Sequence, residues 1–215
     1  MSFTPFFSRA AGFAALALLA SCARSNETAA SAAPKPPPIF AELETEKGTI
    51  EIELLPGDAP KTVENFRLLA ERGYYNGLKF HRIVQDFMLQ TGDPLGNGKG
   101  GESAWGKPFD DEIQKNSPLY QLGAGYKRGI VAMANSGPNT NASQFFILQK
   151  DYPLPPNYTI FGRVSKGIEV VDALADTPTK RGPDGMMSVP LTPPILQKVT
   201  IHAPAAAPAT APAKP

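Results

Sequence analysis

Arg82 sits in the run Phe80-His81-Arg82-Ile83-Val84-Gln85-Asp86-Phe87-Met88-Leu89-Gln90, one cationic side chain among large apolar ones spaced by strand-like alternation. A guanidinium stays charged at any working pH. Set beside an apolar pocket, it can stabilise a developing charge or a lone pair without proton transfer. The plainer reading is a surface arginine held in an ion pair, with Phe87 and Met88 as ordinary core residues. Covalent chemistry has little to work with. His81 and His202 are the only imidazoles, and no Ser or Cys stands in a nucleophile motif. His81 therefore reads as structural or groove-shaping. No His/Cys cluster or EF-hand spacing is present, so neither a metal nor another cofactor is implied. Gly96-Asn97-Gly98-Lys99-Gly100-Gly101 satisfies a Gly-x-Gly-x-x-Gly pattern literally. It fails as a nucleotide site, because Gly106 and Pro108 stand where a helix would have to begin and Lys99 is followed by Gly. It reads as a flexible loop.

The elements that must position Arg82 are mostly short strands. Ala41 and Leu43, then Ile50, Ile52 and Leu54, alternate with charged residues across Glu46-Lys47-Gly48, a hairpin with one wet face. Asp58 can cap a following helix, Pro60 suits its first turn, Val63, Phe66, Leu69 and Ala70 share a face, and Gly73 ends it. Residues 83–90, 129–134, 143–148, 159–164 and 198–202 read as strands, and 166–174 as a second helix bearing Ile168, Val171 and Leu174 on one side. Many short strands with two helices imply a mainly β barrel or sandwich with plugged ends; periodicity does not choose between them.

The 215 residues, 42% hydrophobic and 19% charged, suit one globular domain with tails. Charge is balanced at 21 basic against 20 acidic, and removing Arg9 with the residues before Cys22 leaves 20 against 20. No nucleic-acid partner is expected. Residues 1–21 read as a signal peptide: Arg9 precedes the apolar run Ala10 to Leu19, too short to span a bilayer. Leu19-Ala20-Ser21-Cys22 resembles a bacterial lipoprotein box, which implies lipid on Cys22 and a membrane anchor. An ordinary secretory signal with an incidental cysteine is the alternative. Ala23 in place of an aspartate favours the outer membrane, on the periplasmic side of the cell envelope. Residues 22–38 then form an Ala/Pro/Ser tether and 204–215 an Ala/Pro tail, neither able to bury enough apolar surface to order itself. The folded body spans 39–203.

Within that body, Phe80-His81-Arg82, Phe87 to Asp93, Gly100-Gly101, Phe109 to Glu112, Met133 to Phe146 and Phe161-Gly162 occur in one order. Together they resemble the cyclophilins, the peptidyl-prolyl cis/trans isomerases. The resemblance implies a closed eight-stranded antiparallel barrel capped by two α-helices, a monomer acting without cofactor on proline-containing polypeptides. Rotation about an X–Pro bond meets a barrier of roughly 20 kcal/mol, because the nitrogen lone pair is delocalised into the carbonyl. The resemblance implies that Arg82 donates to that lone pair as the nitrogen pyramidalises. It maps the proline socket onto Phe87, Met88, Phe146 and Leu154, the backbone grip onto Gln90, Asn135 and Gln144, and neighbouring groove positions onto Ala134 and Tyr158. Asn139 and Asn141 read as turn-makers.

Residues 150–157 depart from the family pattern, with three prolines and no tryptophan, and Tyr158 replaces a frequent histidine. The missing tryptophan argues against cyclosporin sensitivity. Thr91 and the segment Gly182 to Pro194, with Met186-Met187, depart too and receive no role. Two rival readings remain open: a proline-peptide binding module or holdase using the same groove, and an envelope scaffold tethered through Cys22.

Overall fold

The computed structural model describes residues 38–114, 116–120 and 126–202; the expected signal segment, Cys22, the tether and the Ala/Pro tail lie outside them. Strands β1 (Ile39–Thr45) and β2 (Gly48–Leu54) form the expected hairpin, with Ala41 opposite Ile52 and Leu43 opposite Ile50. Those four side chains are fully buried, while the alternating glutamates remain outside. Helix α1 (Pro60–Glu71) follows with Pro60 in its first turn and buries Val63, Phe66, Leu69 and Ala70. Asp58 does not cap it. Ala59 occupies the cap, and Glu112, 50 residues further on, accepts the N–H groups of Lys61 (3.0 Å) and Thr62 (2.7 Å). A carboxylate there satisfies two orphan donors and complements the positive end of the helix dipole.

The run at 83–90 is not one strand. After the two-residue β3 (Leu78–Lys79), the chain forms β4 (Arg82–Val84), turns at Gln85 to Phe87, and returns as β5 (Met88–Thr91). Asp86 makes the turn at φ 63°, a left-handed conformation open to Asp. Alternating hydrophobicity continues through a short hairpin turn, so period alone reads two paired strands as one. Strands β6 (Ile130–Met133), β7 (Phe145–Leu148) and β8 (Ile160–Lys166) follow, then α2 (Ile168–Ala175). A small hairpin of β9 (Thr179–Arg181) and β10 (Met187–Pro190) precedes β11 (Ile195–His202).

Among the described residues the architecture is mainly β with two α-helices, but the main sheet is not a closed eight-stranded ladder. It is a nine-stranded antiparallel sheet in the order β3-β11-β1-β2-β8-β6-β7-β5-β4, with β3 and β4 as its edges. Only Phe80 and His81 separate those edges in the chain. There the Phe80 N–H donates to the carbonyl of Pro194 (2.9 Å), extending the pairing of β3 with β11, and the Phe80 ring is fully buried.

Each face of the sheet carries its own apolar cluster. Phe145 and Ile147 join the larger one with Phe66, Tyr75 and Phe161; Phe146 and Leu148 join the smaller with Met88, Tyr126 and Ile160. Successive residues of a strand point to opposite faces, so β7 serves both at once. The smaller cluster is the floor of the site.

Candidate active site

Register assembles the site. Arg82 is directly opposite Gln90, Gln90 opposite Phe146, and Phe146 opposite Ala132, so the four form one row across β4, β5, β7 and β6. Opposed residues share a face, and the period of two adds Met88 beside Gln90 on β5. The row ends in a half-open cavity of about 360 Å³ lined by Arg82, Phe87, Met88, Gln90, Ala134, Asn135, Phe146, Tyr152, Leu154 and Tyr158. Nine of these ten were expected from the sequence; Gln144 is the expected residue that does not line it.

The walls are fixed by aromatic contacts. Tyr158 meets Phe146 edge-on, ring centroids 5.5 Å apart at 87°, and Tyr152 stacks on Phe87 at 4.0 Å and 28°. Tyr126 clamps the rim: its hydroxyl donates to the Tyr158 carbonyl (2.8 Å) and accepts the Tyr158 N–H (3.1 Å). Burial pushes that phenol up to about 12, so it stays a neutral donor at working pH. Asn135 spends its side-chain N–H on the carbonyl of Asn157 (2.8 Å), tying the β6 end of the groove to the proline-rich rim.

Gln144 lies next door. Its Oε1 accepts from Gln90 Nε2 (2.8 Å), and its own Nε2 donates to the carbonyls of Gly98 (3.1 Å) and Gly100 (2.8 Å). Gln144 therefore holds Gln90 in place and lines an adjoining cavity of about 260 Å³ bounded by the glycine loop. That loop is organised around Asp93, whose carboxylate accepts the N–H groups of Leu95, Asn97 and Gly98. Burial opposes ionisation of Asp93, but these backbone donors outweigh it and hold the carboxyl below its usual range. Gly92, at φ 90°, permits the close passage of β5 beside Ser143; an added Cβ would lie 2.4 Å from the Ser143 carbonyl oxygen.

His81 points away from any proton-transfer role. It is 9% exposed, and neither ring nitrogen has a hydrogen-bond partner among the described residues. Desolvation lowers its pKa, with Asp93 opposing the shift and Arg82 adding to it. An imidazole neutral in the folded chain but protonated in the unfolded one costs stability as pH falls below about 6.5. We expect urea midpoints to decrease from pH 7 to 5.5 in the wild type, and His81→Gln to flatten that slope. An unchanged slope would show that His81 titrates alike in both states.

Three side chains near Arg82 escaped sequence reading. Asp184 Oδ2 accepts the Arg82 Nε–H at 2.9 Å, and Arg82 Nη1 and Nη2 lie 3.7 Å and 3.8 Å from the sulfurs of Met88 and Met186. The plain ion-pair reading of Arg82 is thus partly correct, yet the pair leaves its terminal nitrogens beside the cavity. Gly-Pro-Asp-Gly at 182–185 marks a turn. Nothing in it tells where the turn docks. Tyr152, the third, sits among prolines without periodicity to place it. Among the described residues no three His, Cys, Asp or Glu side chains gather as metal ligands.

Residues 40–202, from β1 to β11, match the family model described as cyclophilin type peptidyl-prolyl cis-trans isomerase/CLD. The chain is 47% identical over 165 residues to peptidyl-prolyl cis-trans isomerase-like 3 of Gallus gallus, covering 75% of this chain and 94% of that protein. It is 50% identical over 140 residues, 65% of its length, to peptidyl-prolyl cis-trans isomerase CYP65 of Arabidopsis thaliana, of which it spans 22%. A Cryptosporidium parvum cyclophilin crystallised in the presence of the dipeptide Ala-Pro superposes with a TM-score of 0.68 at 36% identity, covering 77% of this chain and 99% of that one. These three relatives are eukaryotic. A match running from the first strand to the last, around an arginine-edged apolar cavity, establishes that the chain belongs to the cyclophilin-type peptidyl-prolyl cis-trans isomerases.

Proposed function

We propose that the cavity edged by Arg82 is where this isomerase turns X–Pro bonds, in unfolded or flexible proteins of the cell envelope. The observation that carries the reading is the row Arg82, Gln90, Phe146 beside a pocket walled by Phe87, Met88 and Leu154. A proline ring seats against Phe146, Met88 and Leu154, and the apolar walls strengthen the electrostatic contact made at their edge. Gln90, with Ala134, Asn135 and Tyr158 along the rim, grips the backbone on one side of the bond so that the other can turn. Gln144 acts by holding Gln90. Arg82 donates to the nitrogen lone pair as conjugation is lost, which stabilises the twisted amide more than the planar one. The cavity volume lies at the small end of ligand pockets, suited to a dipeptide unit in an extended chain. The relative crystallised with Ala-Pro supports that substrate class.

The enzyme acts as a monomer, tethered to the periplasmic side of the outer membrane by lipid on Cys22; the supporting feature is Leu19-Ala20-Ser21-Cys22, followed by Ala23. Two measurements test the whole. In a protease-coupled assay on an Ala-Pro peptide, the purified body from residue 39 should accelerate cis-to-trans conversion; an unaltered rate would end the assignment of the cavity. Palmitate labelling in a bacterial host should mark the full chain and not Cys22→Ser, and an unlabelled wild type would remove the anchor.

A further inference from the structure

The β9–β10 hairpin has a chemistry of its own, because its turn is folded around one carboxylate. Asp184 Oδ1 accepts the Met186 N–H (3.0 Å) and the Ser188 hydroxyl (2.8 Å), leaving Oδ2 aimed at Arg82 Nε. Ser188 is buried to 1% exposure. Gly182 makes the room: a Cβ there would lie 2.4 Å from Ser188 Oγ and 2.9 Å from Asp184 Oδ1. Burial works against the Asp184 charge, but its donors, Ser188 and Arg82 foremost, outweigh it and lower the carboxyl below its usual range. The carboxylate is thus held from behind by two donors of its own hairpin where it meets the arginine.

We propose that Asp184 is the positioning residue for Arg82, fixing the guanidinium through Nε so that its two terminal nitrogens are presented to the prolyl amide. An arginine side chain has four rotatable torsions, and a donor must sit within tenths of an ångström of its target to act on a lone pair. One bond at Nε locks the plane of the fork. The terminal nitrogens then rest on thioether sulfurs of Met88 and Met186, which are weak acceptors and hold little of their donor capacity. The hairpin belongs to the catalytic apparatus even though it lies outside the main sheet. This inference rests on Arg82 acting as the donor.

Asp184→Asn is the discriminating variant, since its amide oxygen can still accept from Met186 and Ser188 while the position facing Arg82 loses its charge. The expected result is a fall in kcat of about tenfold, with the dissociation constant for an Ala-Pro peptide within about twofold of wild type. The Arg82 Nε–H resonance should broaden or exchange faster with solvent, and Asp184→Glu should restore part of the rate. In an Arg82→Ala background, Asp184→Asn should change the residual rate no further. A wild-type kcat for Asp184→Asn, or the same loss with and without Arg82, overturns the positioning role while leaving Arg82 itself in place. Full activity of Arg82→Ala alone would overturn both.

Discussion

Arg82→Ala should lower kcat/KM for X–Pro rotation by about 10²–10³-fold, the usual consequence of removing one preorganised donor from a water-poor site. The fold should tolerate it. Arg82 is part-exposed, its side chain 30% accessible, and a part-exposed ion pair contributes within about 1 kcal/mol to stability. Its partner Asp184 also keeps two other hydrogen bonds when the guanidinium is gone. Arg82→Lys is the sharper comparison. An ammonium on a flexible stem keeps the charge but loses the planar fork that can bond Asp184 and face the amide together, so most of the loss should remain. Protease-coupled rates together with thermal melting decide the matter. Rates within threefold of wild type, at unchanged melting temperature, would show that the apolar cavity alone carries the acceleration.

Adjacent phenylalanines on β7 should fail in different ways. Phe145 is fully buried and meets Phe66 at 5.4 Å and Tyr75 at 5.6 Å, both edge-on. Truncating it to alanine removes those contacts and opens a void between sheet and helices, at a cost of about 3–5 kcal/mol. For a domain of this size that is a large share of total stability. Phe146, one residue on, faces the cavity with Tyr158 at its edge. Phe146→Ala should reduce peptide affinity and kcat/KM by about tenfold or more, as a fully desolvated aromatic anchor does. Its cost in stability should be smaller, since the smaller cluster already opens to solvent. Urea unfolding and peptide titration on both variants separate the two faces; equal loss of stability would mean that the cavity floor is as rigidly packed as the core.

Particular residues show where sequence was sufficient. The resemblance carried by the Phe80 to Gln90 run grouped Arg82, Phe87, Met88 and Gln90, and the hairpin that the run forms brings the four to one cavity. The Met133 to Phe146 match supplied Asn135 and Phe146 from the far side of the sheet. What escaped reading was the geometry between segments. Arg82 meets Asp184 across 102 residues, and no local pattern in Gly-Pro-Asp-Gly encodes that destination. Glu112 displaces Asp58 as the partner of α1 for the same reason: a short-range capping rule yields to a carboxylate delivered from a distant loop. The single strand expected at 83–90 and the expected closed ladder fail at two points, Asp86 and Phe80. Asp86 redirects the backbone while the alternation of side chains continues, whereas between Phe80 and Ile83, both in the larger cluster, the alternation slips by one residue.

The pairing of β1 with β11, which sets Phe40 opposite His202, bears on how the chain is made. Strand β1 is the first of the described strands to leave the ribosome, and its second neighbour is the last of them to be translated. At the usual 5–20 residues per second, the interval is roughly 10–30 s. Until β8 emerges, β1 and β2 can pair only with each other, and one edge of β1 stays open to any passing strand until β11 follows. Charged side chains along that hairpin, Glu42 and Glu44 with Glu51 and Glu53, are of the kind that disfavour such edge-to-edge pairing.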